Sequence, residues 1–137
     1  MLFRSLPPCE MCWWQRYPHI AALVLATLAW MTRRDALVAL AAIAILVSGA
    51  IGAFHAGVEY NWWEGLTACT ALAGSGGDPL ASIMAAPIVR CDVAPWTLGG
   101  VSLAGFNFLI STAAGVAILV LIRRRPRKGD FARKTGR

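Results

Sequence analysis

Three stretches of this chain are apolar almost without interruption. Residues 36–58 run 23 positions without a charge, with His55 near their end. Residues 101–122 run 22 positions with no charge at all. Residues 12–31 form a third stretch, which carries Gln15 and Arg16 in its opening turn. Its uncharged part, 17–32, is too short to span a membrane alone. A helix rises about 1.5 Å per residue, so about 20 apolar residues cover a hydrocarbon core of roughly 30 Å. The pattern predicts an all-α integral membrane protein with spans over about 12–31, 36–58 and 101–122, packed as an antiparallel helix bundle. Arg16 then falls at the membrane surface, where a long side chain can snorkel.

Composition supports that class. The 137 residues are 58% hydrophobic and 15% charged, whereas an ordinary soluble domain is about a quarter charged. So short a chain cannot enclose that much apolar surface in water, and the same balance excludes disorder.

The net charge of +6 bears on orientation, because lysine and arginine near helix ends mark the cytoplasmic side. Arg33 and Arg34 lie between the first two spans, and Arg123, Arg124, Arg125, Arg127 and Lys128 follow the last. The connection 59–100 holds Glu59, Glu64, Asp78 and Asp92 against Arg90 and belongs outside. The N-terminus, with Arg4 its only basic residue before Cys12, lies outside as well. A short outward N-terminus usually follows a preceding span, yet residues 1–8 can form neither a span nor a signal peptide. The expectation is a three-span protein or a start that has lost an N-terminal helix. The basic tail 123–137 reads as an anchor on anionic lipid. With no aromatic interleaving and no fold of its own, it is not a nucleic-acid-binding segment.

The outward loop, 59–100, is long for a structureless connection, and such loops are usually functional or disordered. Trp62 and Trp63 follow the second span, at the depth of the headgroups. Residues 74–78 (GSGGD) form a flexible break. Residues 79–89 (PLASIMAAPIV) are apolar and too short to span. They are expected to lie in the interface as a short helix, limited by Pro87 to about two turns, or as a loose apolar strand on the bundle.

The chemistry lies in the cysteines. All four fall on the outward side or its boundary: Cys9 and Cys12 before the first span, Cys69 and Cys91 in the loop. Outside a bacterial inner membrane such thiols can pair. Cys9 and Cys12 form a C-x-x-C, a spacing that recurs in thiol–disulfide exchange sites. Haem attachment would need histidine at position 13, which is Trp13. A zinc site would favour a second close pair, and Cys69 and Cys91 are 22 apart with no histidine between them. No metal is expected, and a passive disulfide is the competing reading. Pro8 precedes the pair, so the helix begins at or just after it, where the macrodipole favours a thiolate. Arg16, four residues after Cys12, lies one turn deeper on the same face and adds a cation. A charged residue just inside a span is a functional candidate, with contact to lipid phosphate as the plainer alternative. His55, with Glu59 one turn later, lies at the same depth in the second span.

Together these residues resemble the disulfide bond formation protein B (DsbB) family, bacterial inner-membrane enzymes that reoxidise the periplasmic thiol oxidase DsbA. Residues 8–18 (PCEMCWWQRYP) are close to the family's P-C-x-x-C-x-x-[QE]-R. Residues 52–59 (GAFHAGVE), followed by Trp63 and Cys69, form a second match, and 91–96 (CDVAPW) with 102–107 (SLAGFN) a third. The ordered set runs from Pro8 to Asn107. The resemblance implies a relay in which the Cys69–Cys91 disulfide takes electrons from a reduced DsbA-like partner and Cys9 and Cys12 reoxidise that pair. It further implies a membrane quinone, ubiquinone or menaquinone, as acceptor, held near Cys12, Arg16, His55 and Gln15. The break at 74–78 would let the loop cysteines travel between partner and membrane surface. Family members have four spans, and the one before the C-x-x-C is absent here, so a four-helix DsbB-like bundle minus its first helix is expected.

Two other readings compete. Vitamin K epoxide reductase-like enzymes also carry two cysteine pairs, but in the opposite order along the chain. A small membrane subunit with purely structural cysteines leaves Arg16 and the helix-start C-x-x-C without a role.

Overall fold

The computed structural model describes residues 9–66 and 90–125. Three helices account for most of them: α1 (Glu10–Thr32), α2 (Asp35–Glu59) and α3 (Leu103–Arg124). Helix α1 begins inside the C-x-x-C, because Cys9 has extended backbone and its sulfur accepts the Cys12 N–H at 3.3 Å. The helix runs through Pro18, which has no N–H to offer the Trp14 carbonyl. It ends where Arg33 turns left-handed, at φ 54°, and donates its N–H to the Ala29 carbonyl at 2.8 Å. Helix α2 starts two residues later, with Asp35 in its first turn, where the macrodipole favours an acid.

Before α3 the chain forms a small antiparallel hairpin, β1 (Thr97–Leu98) and β2 (Val101–Ser102), pairing Thr97 with Ser102 and Leu98 with Val101. The turn is Gly99–Gly100, at φ 60° and 81°. A two-residue turn with both φ positive matches the strand twist and suits glycine. Ser102 then caps α3, its hydroxyl accepting the Gly105 N–H at 3.2 Å. This corrects the expected span over 101–122. Residues 101 and 102 are strand, the helix starts at Leu103 and reaches Arg124, and the chain is not purely α.

Helix α2 lies between the other two and packs against both. Gln15, early in α1, meets His55, late in α2, and Arg125 after α3 meets Asp35 at 3.2 Å at the start of α2. Each helix therefore runs against its neighbour. Large apolar side chains face outward, among them Leu23, Trp30, Leu40, Ile110 and Leu121. Apart from Met11 and Val58, buried helix positions are small or polar, such as Ala42, Ser48, Gly52, Ser111 and Gly115. Helices in lipid associate in this way, through close backbone approach and interhelical hydrogen bonds. Helices α2 and α3 are long and apolar enough to cross a membrane. Helix α1 has the length but not the apolarity, since Glu10, Gln15, Arg16 and His19 dilute its first half.

Cys69, the 74–78 break, the segment 79–89 and the tail beyond Arg125 lie outside the described residues.

Candidate functional site

The start of α1 brings both C-x-x-C sulfurs onto one turn. The Cys9 thiol donates to the Cys12 sulfur at 2.8 Å, a separation longer than the roughly 2.05 Å of a disulfide. Cys9 is buried and Cys12 half-buried. The hydrogen bond to Cys12 and burial together push the Cys9 thiol well above the ordinary thiol range. Cys91 arrives from the loop and is only 1% exposed, in one cluster with Cys9, Met11 and Val58, against which Cys12 and Phe54 pack. Within its segment Arg90 pairs with Asp92 across Cys91, and Trp96 further on places its ring 6.4 Å from that of Phe106 on α3. The Arg90 guanidinium holds the Asp92 carboxyl below the usual carboxylate range. Three of the four cysteines singled out in the sequence therefore meet at one place.

His55 completes this cluster from α2. Its Nε2 lies 3.7 Å from Cys9 Sγ and 3.8 Å from Glu59 Oε1, and its Nδ1 lies 2.8 Å from Gln15 Nε2. Glycines late in α2 leave room for the wall beside it. A Cβ on Gly57 would meet Trp63 at 2.1 Å, so Trp63 folds back over the helix and donates its indole N–H to the Phe54 carbonyl at 3.0 Å. The aromatic pair expected at headgroup depth is thus partly a brace for α2.

Arg16 stands one turn below Cys12, but its side chain is exposed, and its guanidinium lies 5.1 Å above the Trp13 ring. Desolvating a guanidinium beside Met11 and Val58 would be costly, whereas the neighbouring indole face offers a cation–π contact at the surface. The ligand atoms of Cys9, Cys12 and His55 lie within 4.8 Å of one another, the span of a thiophilic ion's donor set. The approach of His55 to the Cys9 sulfur has no counterpart in the spacing along the chain, where the two are 46 positions apart.

Beneath the cysteines lies a buried polar network around Gln15, joined by Asn107, Ser48, Ser111 and His19, which the motifs did not single out as site residues. Asn107 donates to Gln15 Oε1 at 2.7 Å and to the Ser48 carbonyl at 3.2 Å. Ser48 donates its hydroxyl to the Gln15 carbonyl at 2.8 Å, and Ser111 donates to Asn107 Oδ1 at 2.8 Å. His19 Nδ1 reaches the Gln15 carbonyl at 3.0 Å. The available signal was polar residues inside otherwise apolar spans, since buried polar groups in lipid need partners.

Comparison with known proteins decides the family. Residues 2–121 match the model of the family described as Disulfide bond formation protein DsbB. The chain belongs to the DsbB family. One curated relative, Disulfide bond formation protein B of Polaromonas sp. (strain JS666 / ATCC BAA-500), is 30% identical over 138 residues, covering 90% of this chain and 79% of the relative. No solved structure matches the chain significantly. Membership in DsbB makes this a membrane protein of disulfide bond formation and implies oxidoreductase activity. It also removes the vitamin K epoxide reductase-like reading. The DsbB match encloses all four cysteines and His55.

Proposed function

We propose that the chain is a single membrane unit that reoxidises a periplasmic DsbA-like dithiol and passes the electrons to a membrane quinone. The observation that carries this reading is Cys91, a loop cysteine packed in one buried cluster with Cys9 at the start of α1. Loop and C-x-x-C are thereby close enough for exchange, which proceeds by thiolate attack on a disulfide sulfur. A reduced partner opens the Cys69–Cys91 disulfide through a mixed disulfide with Cys69, which frees the Cys91 thiolate. Cys91 attacks Cys9 of the Cys9–Cys12 disulfide, a Cys9–Cys91 bond forms, and Cys12 leaves as thiolate. The partner's second thiol attacks the mixed disulfide, leaves as oxidised partner and frees Cys69 as thiolate. Cys69 then attacks Cys91 of the Cys9–Cys91 bond, which restores the Cys69–Cys91 disulfide. Cys9 and Cys12 are left as the reduced pair that passes two electrons to the quinone.

A quinone supplies a two-electron, two-proton acceptor. The donor set fits its headgroup: Arg16 is exposed at the surface beside half-buried Cys12, with an aromatic face, Trp13, next to it. Gln15 and His55 support the cluster from behind, their polar atoms turned to one another. Apolar outer faces on α2 and α3 support spans at about 36–58 and from Leu103 onward, with α1 as a third that keeps Arg16 at the interface. The charge pattern supports cysteines outside and the basic tail inside.

The test is anaerobic. The reduced chain is mixed with a quinone, and quinol formation is followed with and without a reduced DsbA-like protein. Quinone-dependent thiol oxidation is expected, and its absence sinks the proposal. Cys12→Ser should stop quinone reduction, whereas Cys69→Ser should spare it and block oxidation of the partner. Equal loss in both variants would overturn the relay order.

A further inference from the structure

Asn107 stands where the three helices meet, and the polarity of its hydrogen bonds can be traced to the cysteines. The Ser48 carbonyl can only accept, so the nitrogen end of the Asn107 amide must face it, at 3.2 Å. The same nitrogen reaches Gln15 Oε1 at 2.7 Å, which leaves Gln15 Nε2 as the end that meets His55 Nδ1 at 2.8 Å. The Met11 carbonyl, 3.4 Å from Gln15 Nε2, agrees with that orientation as a longer and weaker contact. An amide nitrogen cannot accept a hydrogen bond. His55 Nδ1 therefore presents its lone pair, and the neutral ring carries its proton on Nε2. Nε2 is the atom 3.7 Å from Cys9 Sγ.

We propose that Asn107 is a positioning residue that sets, through Gln15, the His55 tautomer whose Nε2–H faces the Cys9 sulfur. Donors then run in one direction: Asn107 to Gln15, Gln15 to His55, His55 toward both the Cys9 sulfur and Glu59 Oε1, and Cys9 to Cys12. The opposite tautomer would turn a lone pair toward Cys9 and compete with Cys12 for the Cys9 proton. The assigned tautomer also withdraws the Nε2 lone pair from the three-ligand cluster, which disfavours a resident metal ion. The consequence for the cysteine pair rests on the thiol-oxidising reading above; the tautomer does not.

The two histidines of the chain provide an internal control. His19 Nδ1 faces the Gln15 backbone carbonyl, a pure acceptor, so His19 carries its proton on Nδ1. The experiment is nitrogen-15 NMR of the reduced, full-length chain labelled at histidine in nanodiscs, with His19→Gln for assignment. Wild type should show the two histidines as opposite tautomers, His55 with a bare Nδ1. In Asn107→Asp the carboxylate can only accept, so Gln15 should give up its 3.4 Å contact with the Met11 carbonyl, reverse its amide and move the His55 proton to Nδ1. Gln15→Glu should produce the same exchange from α1, leaving α3 untouched. In both variants the preference of an alkylating reagent for Cys12 over Cys9 should fall about tenfold, the effect of losing one hydrogen bond to a charged group. Circular dichroism checks that each variant is folded. A wild-type His55 protonated on Nδ1, or an unchanged tautomer in a folded variant, overturns the proposal. An exchanged tautomer with an unchanged alkylation preference overturns its link to the cysteines. No turnover is needed, so the expected tautomers in a chain that fails to reduce quinone would sink the proposed function and leave the positioning role standing.

Discussion

Gly57→Ala tests the packing that walls the cysteine cluster. The new Cβ would lie 2.1 Å from Trp63 Cζ2 and 2.4 Å from Cε2. Carbon atoms settle at about 3.5 Å, so the indole must move by roughly 1.4 Å. Trp63 Nε1 now donates to the Phe54 carbonyl at 3.0 Å, and the two rings stack at 5.7 Å. A shift of that size breaks the hydrogen bond, which fails beyond about 3.5 Å. The loss is about 1 kcal/mol for the bond and about 1 kcal/mol for the stacking. Alanine in place of glycine returns about 1 kcal/mol of helix propensity. The net cost, about 1 kcal/mol, is small, so the decisive assay is a double-mutant cycle by equilibrium unfolding in detergent. In a Trp63→Ala background the clash is gone, and Gly57→Ala should instead stabilise by about 1 kcal/mol. A coupling near 2 kcal/mol is therefore expected. The same effect of Gly57→Ala in both backgrounds would refute the reasoning. Because Phe54 packs on the cluster of Cys9 and Cys91, Gly57→Ala should also hasten alkylation of Cys91.

Three further outcomes follow from the geometry. Tyr60 donates its hydroxyl to the Gly100 carbonyl at 2.8 Å and accepts the Ser102 N–H at 3.0 Å. Tyr60→Phe should cost about 1–2 kcal/mol and raise hydrogen exchange in 97–102; unchanged exchange there would contradict the bridge. Asp92 has its carboxyl lowered by Arg90, so the stabilisation is present above the unfolded value of about pH 4 and is lost as pH falls through the lower folded value. Protection of the segment around Cys91 should fall with acid in wild type and stay level in Asp92→Asn; matching acid profiles would rule the pair out. Ser102→Ala removes the α3 cap and should lower stability by about 1 kcal/mol, checked by thermal unfolding, whereas Ser102→Asn should largely retain it.

Much of the helical framework was legible because a hydrocarbon solvent imposes a coarse and local demand. Long uncharged runs mark α2 and α3 whatever they pack against. The start of α3 was less legible, since Val101 continues the apolar run. A Gly-Gly turn and a serine cap outrank hydropathy there. In the site, Cys9, Cys12, Cys91, His55 and Gln15 were all identifiable as chemically unusual residues on or near the outward side. Their contacts were not, because His55 reaches Cys9 from 46 positions away and Asn107 reaches Gln15 from 92. Arg16 shows the converse. Its place on the helix was readable, but the contact that holds its guanidinium, the Trp13 ring, depends on which side of α1 is covered.

The amino-acid pattern by itself determined the membrane-protein class, two helices long and apolar enough to span, α2 and α3, and a C-x-x-C at a helix start. These follow from hydropathy, helix rise and the local chemistry of C-x-x-C, which depend on neighbours within a few turns. Only the tertiary structure decided that Cys91 packs beside the pair and that His55 is the histidine facing it. It also decided how a backbone carbonyl on α2 orients the amides of α3 and α1. Hydrogen-bond polarity passes through space from acceptor to donor, and no spacing along the chain encodes it.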